Sequence, residues 1–246
     1  MKILILGNGY DLAHNLPTSY QDFLKFTNLV KTIYQVSWLK EKDNPEISNR
    51  IKNSAFPLFI MNRLLAANQQ IQNIDSKCNE NKLINSQDAA LNEFFRLVEN
   101  NSWIDYFQHI NCVNEWIDFE NEIYSELEKL SDAIQSKTFS KSYMYKRIKL
   151  VDKTDVNIID KLEMDLKNLI RAMEIYFDEF VNHIDITTEI EEIRKFNPDH
   201  ILSFNYTNTY QRLNKQDCCQ IHGTACYKQG FPKKWSLVLG IPKTDI

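Results

Sequence analysis

Helix-breaking residues are scarce in this sequence, and their positions predict how the chain is organised. Its five glycines all lie within the first nine or the last twenty-four residues: Gly7, Gly9, Gly223, Gly230 and Gly240. Neither glycine nor proline occurs between Pro57 and Pro198. Because the turns of a sheet need such residues, the interior is predicted to be helical, with a small sheet built from the two ends.

Other absences exclude whole classes of protein. No apolar run approaches the ~18 residues of a membrane span, and the run at 3–6 is too short for a signal-peptide core. Five cysteines form no regular framework, which favours reduced thiols in a cytoplasmic protein with no membrane partner. A net charge of −4 gives no reason to expect a nucleic-acid surface, while a homo-oligomer is compatible with the composition.

A zinc site is a further possibility that the spacing disfavours. Cys218, Cys219, His222 and Cys226 place four potential ligands within nine residues. Adjacent cysteines point to opposite sides of a strand, and this spacing matches no usual zinc finger. No metal is therefore expected.

The first twenty residues, MKILILGNGYDLAHNLPTSY, carry the strongest local signal. An apolar strand at 2–6 is followed by Gly7-Asn8-Gly9 and then by an amphipathic stretch that opens at Thr18-Ser19. This order is typical of the first βα turn of a nucleotide-binding sheet, in which Gly7 and Gly9 let the backbone approach a phosphate. The third glycine and the lysine of a P-loop are missing, so an ordinary tight turn is the alternative.

Two polar residues follow predicted strands near the other end. Asn205 comes after the apolar residues of 201–204, and His222 follows a short apolar segment and precedes Gly223. Because ligand crevices open at the carboxyl ends of parallel strands, Asn205 and the 7–9 turn are expected to face one crevice. His222 suits the role of general base. The alternatives are a strand-end turn residue for Asn205 and a structural histidine for His222.

A carboxylate falls on the apolar stripe of a predicted helix over 115–134. The stripe consists of Trp116, Ile123, Leu127, Leu130 and Ile134, and Glu120 lies four residues after the first of these. Burying a carboxylate on an apolar face costs several kcal/mol unless the carboxylate is paired. Partial burial would also raise its pKa towards the range that is useful for proton transfer. A glutamate bonded to backbone or to an arginine is the structural alternative.

Local signals also predict boundaries within the helical interior. Ser19 and Asp22 have the spacing of a capping box. Helices are expected over 45–71 with a break at Pro57, over 91–107 with a break at 100–102, and over 155–183. A loop is expected at 73–86, a solvated basic connector at 139–154 and a core strand at 237–240.

Long motifs resemble the AbiH family of bacterial abortive-infection proteins. They occupy Gly7–Phe23, Trp116–Glu120, Ser203–Tyr210 and Ile221–Gly223. The resemblance implies a role in phage defence, with a phage-derived trigger as a partner. Members of that family are generally longer, so the resemblance leaves open whether this chain is a C-terminally shortened member.

A more distant resemblance is to sirtuin-like NAD-binding domains. The spacing from Gly7 to Pro17, the Asn205-Tyr206-Thr207 segment and His222-Gly223 match the pattern of those domains, although Thr207 replaces an aspartate and the paired zinc cysteines are missing. The resemblance implies NAD or a related nucleotide as ligand or substrate. The expected binding residues are Gly7, Asn8, Gly9, Asp11, Pro17, Thr18, Tyr206, Thr207 and Gly223. From its position, Asp11 can either hold a ribose or cap the first helix.

The predicted fold is α/β, with a three-layer Rossmann-like, sirtuin-like parallel-sheet core from 1–20 and 197–246 and a helical insertion over 21–196, all within one domain. The leading functional hypothesis is hydrolysis of the N-glycosidic bond of NAD without a metal. In it, Asn205, His222 and Glu120 are catalytic. A non-catalytic nucleotide sensor is the alternative, and a toxin acting on RNA through His222 and the basic 139–153 region is another.

Overall fold

The structure is a computed structural model, and most of it is helical around one small sheet. It describes residues 1–36, 45–73, 86–111, 118–136, 143–144, 146–147, 158–187, 190–227, 237 and 239. The strands are β1 (Ile3–Leu6), β2 (His200–Ser203) and β3 (Cys219–Gln220). The helices are α1 (Asn8–Ala13), α2 (Tyr20–Val36), α3 (Pro45–Lys52), α4 (Leu58–Gln72), α5 (Ala89–Val98), α6 (Ser102–Asn111), α7 (Phe119–Ser136), α8 (Ile158–Ile175), α9 (Glu191–Phe196) and α10 (Thr209–Asn214).

The two ends of the chain form the sheet, as the distribution of glycines predicts. The strands are parallel in the order β1-β2-β3, with Leu6 opposite Ser203 and Ser203 opposite Gln220. The connection from β1 to β2 passes through α1–α9, whereas β2 reaches β3 through α10 alone. All three carboxyl ends therefore point to one edge of the sheet.

Helices cover one face of this sheet. Leu4, Leu6 and Ile201 pack against side chains of α1, α9 and α10, including Tyr10 and Tyr210. On the other face, Ile3 and Ile5 are 45% and 65% exposed. The expected third layer is therefore not seen within the described ranges, where the α/β unit has two layers. The α/β class is confirmed, but the sirtuin-like assignment remains a prediction.

The helical body has a continuous core built largely from aromatic rings. Phe26 of α2 is fully buried, and its ring lies 5.0 Å from that of Phe94 and 4.7 Å from that of Phe180. The edge-on contact with Phe94 is the arrangement that the charge distribution of aromatic rings favours. Although the predicted boundary places α9 in the insertion, Ile190 and Ile193 pack with the α/β cluster.

The predicted helix boundaries are largely confirmed. Ser19 and Asp22 form the reciprocal bonds of a capping box, with 3.1 Å from the Asp22 N–H to the Ser19 hydroxyl and 3.3 Å from the Ser19 N–H to the carboxylate. Pro57 separates α3 from α4. Asn101 separates α5 from α6, and its side-chain oxygen accepts from the N–H groups of Trp103 and Ile104.

The buried face of α7 differs from the predicted stripe, and several other predicted segments are described only in part. Leu127, expected on the buried stripe of α7, is 40% exposed, because the buried face runs through Phe119, Ile123, Glu126 and Leu130. Leu237 and Leu239 of the expected core strand at 237–240 are buried in the core of the helical body, while Val238 and Gly240 lie outside the described residues. Trp116, nearly all of the expected loop at 73–86 and most of 139–154 lie outside the described residues.

A buried ion network attaches the C-terminal segment to the helices. The Arg171 guanidinium lies 3.0 Å from both Glu93 and Glu174 and is almost fully buried. The Tyr227 hydroxyl donates to Glu93, and the Leu237 N–H donates to Glu174. The segment that follows His222 is thereby anchored on α5 and α8.

Candidate functional site

One residue from the end of each strand contributes to the wall of a single cavity of about 230 Å³. Asn8 follows β1, Asn205 follows β2 and His222 follows β3. This convergence confirms the expectation that Asn205 and the 7–9 turn face one crevice, as the geometry of parallel strands requires.

The helical body closes the opposite side of the cavity. The linker before α2, the start of α2, the start of α7 and the segment after α8 all reach the wall. The described lining residues are Asn8, Thr18, Ser19, Tyr20, Gln21, Glu120, Phe177, Phe204, Asn205, Tyr206 and His222. The cavity therefore lies between the two parts of the molecule.

Glu120 contacts both parts of the molecule through two tyrosines. The Tyr20 hydroxyl donates to one carboxylate oxygen at 2.7 Å, and the Tyr206 hydroxyl donates to the other at 3.3 Å. Burial, followed by the nearby phenol and carboxylate, raises the pKa of Tyr20. Burial and the Glu120 carboxylate raise the pKa of Tyr206. Both hydroxyls therefore remain protonated donors, and the carboxylate is held facing the cavity.

Tyr20 is a site residue that sequence reasoning missed. It is the first residue of α2, and its ring stacks on Phe119 at a centroid distance of 4.2 Å. Its position beside the capping box indicates only the start of a helix. The sequence signal that could have identified it as a site residue is its place in the long motif at Gly7–Phe23.

Phe177 reaches the cavity because the helix widens after α8. Residues Tyr176–Phe180 form a π-helical turn, a feature that is frequent at functional sites. Phe177 stacks on Tyr206 at 5.5 Å, and the Tyr176 hydroxyl donates to the Pro17 carbonyl at 2.7 Å. The hydrogen bond from Tyr176 to Pro17 thus fixes the linker before α2, and Pro17 is not among the described lining residues.

His222 lies in an aromatic environment. Its ring centroid is 5.7 Å from that of Phe204 and 5.8 Å from that of Tyr206. Gly223 follows it with φ at 78°, a conformation that side chains rarely adopt, so the turn that presents His222 favours glycine there. Gly223 therefore matters for the conformation of this turn, and it is not one of the described residues that line the cavity.

Asp11 and Thr207 are turned into the protein, away from the described lining. Asp11 is 1% exposed, and its Oδ2 accepts from the Thr207 hydroxyl at 2.6 Å. Burial raises the pKa of this carboxyl, while hydrogen bonds from Thr207 and Thr209 oppose the shift. Neither role expected for Asp11 is seen, because it neither reaches the cavity nor caps α1.

Gly7 and Gly9 border open space. Neither has an atom within 4 Å of the position that a Cβ would occupy, and Gly7 has an extended φ of −124° that any residue can adopt. The turn therefore does not require glycine for its backbone conformation. Between them, Asn8 accepts a 2.6 Å hydrogen bond from Thr18, which ties the turn to the linker before α2.

The described residues contain neither a metal-binding cluster nor a helix that could span a membrane. No group of three or more His, Cys, Asp or Glu side chains there has an arrangement that could hold a metal ion. None of the helices in those ranges has both the length and the apolar character needed to cross a membrane.

The sheet and cavity define an α/β protein with a crevice at the carboxyl edge of its parallel strands, bordered on the other side by a helical body. The family model for bacteriophage abortive infection AbiH matches residues 3–245. Because this match spans nearly the whole chain, the protein belongs to the AbiH family. No curated protein and no solved structure matches the chain.

Proposed function

We propose that this abortive-infection protein acts by binding NAD or a related nucleotide in the crevice and hydrolysing its N-glycosidic bond. The observation that carries the proposal is the convergence of Asn8, Asn205 and His222 at the carboxyl edge, opposite Glu120. Such an edge is where open α/β sheets bind their ligands. Family membership supplies the biological role in phage defence.

The cavity volume indicates which part of a nucleotide would enter. About 230 Å³ lies below the ~300–1,000 Å³ that is usual for sites holding a whole drug-sized ligand. In the proposed complex, the cavity holds the nicotinamide ring and the ribose that carries it. The phosphates extend past Gly7 and Gly9, where open space adjoins the backbone.

The proposed reaction assigns a role to each polar group in the cavity. A water attacks C1′ of the ribose, and the bond from C1′ to the ring nitrogen breaks. The electron pair of that bond stays on the nitrogen, which neutralises the pyridinium ring of NAD. The water's proton passes to His222 and then to solvent, leaving nicotinamide and ADP-ribose. Asn205 orients the ribose or the water, and Glu120 stabilises the cationic sugar in the transition state.

A non-catalytic nucleotide sensor is the second candidate. Thr207, which stands where the NAD-binding pattern has an aspartate, is 2% exposed and donates to Asp11 behind the cavity. Glu120 is the one carboxylate on the described wall, so no second carboxylate there shares the work of catalysis. A sensor would bind the nucleotide in the same crevice and release no product.

Nicotinamide release from NAD tests the proposal directly. The purified full chain is incubated with NAD, with and without lysate from phage-infected cells. We expect release that falls at least about 100-fold in Asn205→Ala and in His222→Ala, the lower range of effects for acid–base groups. A raised melting temperature with NAD and no release under either condition would favour the sensor. Full release in both variants would overturn the assignment of the site.

Glu122→Gln is the matched control. Glu122 lies on the same helix as Glu120 and accepts a 2.9 Å hydrogen bond from the Tyr106 hydroxyl, but it does not line the cavity. Release should be unchanged in this variant. Circular dichroism of every variant separates a loss of chemistry from a loss of fold.

A further inference from the structure

The cavity combines aromatic rings with one carboxylate. Tyr20, Phe177, Phe204 and Tyr206 contribute rings to its wall, and Glu120 contributes the acidic group. Among the described residues that line it, there is no lysine or arginine. A wall of this kind is unsuited to a phosphate, because no cation offsets the repulsion between the phosphate and Glu120.

Glu120 has acceptor capacity left for a ligand. A carboxylate offers about four lone-pair sites, and the two tyrosine hydroxyls take one on each oxygen. Both donors come from rings stacked on Phe119 and Phe177, so the carboxylate is held in place, and no lysine or arginine among the described lining residues neutralises it. Its charge is therefore available to whatever enters the cavity.

Aromatic faces and an acidic group attract the same kind of ligand. The face of an aromatic ring carries partial negative charge, and cages of such rings are the usual means by which proteins bind organic cations. A carboxylate adds a direct Coulomb attraction, which is stronger in a partly enclosed cavity than in water.

We infer that the cavity is a binding site for a planar organic cation, a ring with a delocalised positive charge such as a pyridinium. This inference rests on the proposed function, since it names the part of the nucleotide that enters the cavity first. It predicts selection of the oxidised, positively charged nicotinamide ring over the reduced, uncharged ring. It also assigns to Tyr20 the role of a positioning residue, which acts through Glu120.

Two small probes of matched shape test the inference without any turnover. The 1-methylnicotinamide cation and neutral nicotinamide share a ring and differ in charge. We expect the full-length protein to bind the cation at least about tenfold more tightly in calorimetric titration, as a partly desolvated cation–π site would. Equal affinity, tighter binding of the neutral ring, or binding of neither probe would overturn the inference.

Variants identify the source of the preference. Glu120→Gln retains an acceptor for the tyrosines and removes the charge, so the preference for the cation should fall at least about threefold, while the aromatic rings retain the remainder. Tyr20→Phe should weaken the preference less than Glu120→Gln does, and Glu122→Gln should leave it intact. An undiminished preference in folded Glu120→Gln would contradict the inference.

The probe-binding experiment and the nicotinamide-release experiment can fail independently of each other. Selective cation binding without nicotinamide release would retain the site and remove the hydrolase. Nicotinamide release with no preference between the two probes would retain the hydrolase and remove the cation site.

Discussion

The helical body and the α/β unit differ in how they are held together. The body buries one continuous core, in which Phe23, Phe26, Phe94 and Tyr176 pack ring against ring. Among the described residues, the α/β unit has a separate cluster of four buried hydrophobic side chains, and one face of its sheet carries exposed isoleucines. Because buried apolar area is the main favourable term in folding, stability is concentrated in the body.

The two parts also differ in their polar groups. Seven buried side-chain nitrogen or oxygen atoms have no hydrogen-bond partner in the described structure, and all belong to residues 11–14 or 205–220 of the α/β unit. One of them is Oδ1 of Asn205, on the cavity wall. Buried polar atoms in proteins are normally paired with other protein groups or with ordered water. The comparison teaches that the body holds most of the buried apolar side chains, whereas the unpaired buried polar atoms lie in the α/β unit.

The same substitution in both parts gives the largest expected contrast. Phe26→Ala should lower the free energy of unfolding by about 3–5 kcal/mol, the usual cost of emptying a buried phenylalanine site. Phe204→Ala should cost under about 1 kcal/mol, because this side chain is 46% exposed. Chemical denaturation measures both. Similar losses of unfolding free energy in the two variants would contradict the conclusion that stability is concentrated in the helical body.

A smaller effect is expected at the junction of the two parts. Ser19→Ala removes the acceptor that caps α2 and should cost about 1 kcal/mol. Ser131→Ala, on the exposed surface of α7, is the control and should change stability by less than about 0.5 kcal/mol. Equal values for the two variants would show that the capping box contributes nothing.

The smallest expected effect concerns Asp11. Since burial raises the pKa of this carboxyl above its ordinary value of 3.8, the folded state retains the proton to higher pH than the unfolded state. The carboxyl's contribution to stability therefore falls as pH rises from about 4 through the folded pKa, and is constant above it. Asp11→Asn should be at least as stable as the wild type at neutral pH. As the solution is acidified, the free energy of unfolding of the wild type should rise relative to that of the variant, which chemical denaturation at several pH values measures. A fall relative to the variant would contradict the raised pKa of Asp11.

Local rules were sufficient for most of the helical body and for the location of the crevice. The breaks at Pro57 and Asn101 and the cap at Ser19 follow from side-chain and backbone bonding within a few residues. The convergence of Asn205 and His222 follows from the direction of parallel strands.

The remaining features depend on contacts between distant parts of the chain. Helical periodicity assumes 3.6 residues per turn, so the pattern could not show that a π turn directs Phe177 into the cavity. Asp11 turns inward because Thr207 lies behind it, 196 residues away in the sequence. Tyr20, Glu120 and Tyr206 come from three separate motifs, and only the folded structure joins them at one carboxylate.

Protection of cells from phage tests most directly the claim that the crevice carries the function. Cells expressing the wild type, Asn205→Ala, His222→Ala or Glu122→Gln are challenged with a phage that the wild type restricts. Protein levels are matched by immunoblot. The account predicts that protection is lost in the two crevice variants and retained in Glu122→Gln. Full protection in both Asn205→Ala and His222→Ala would contradict it.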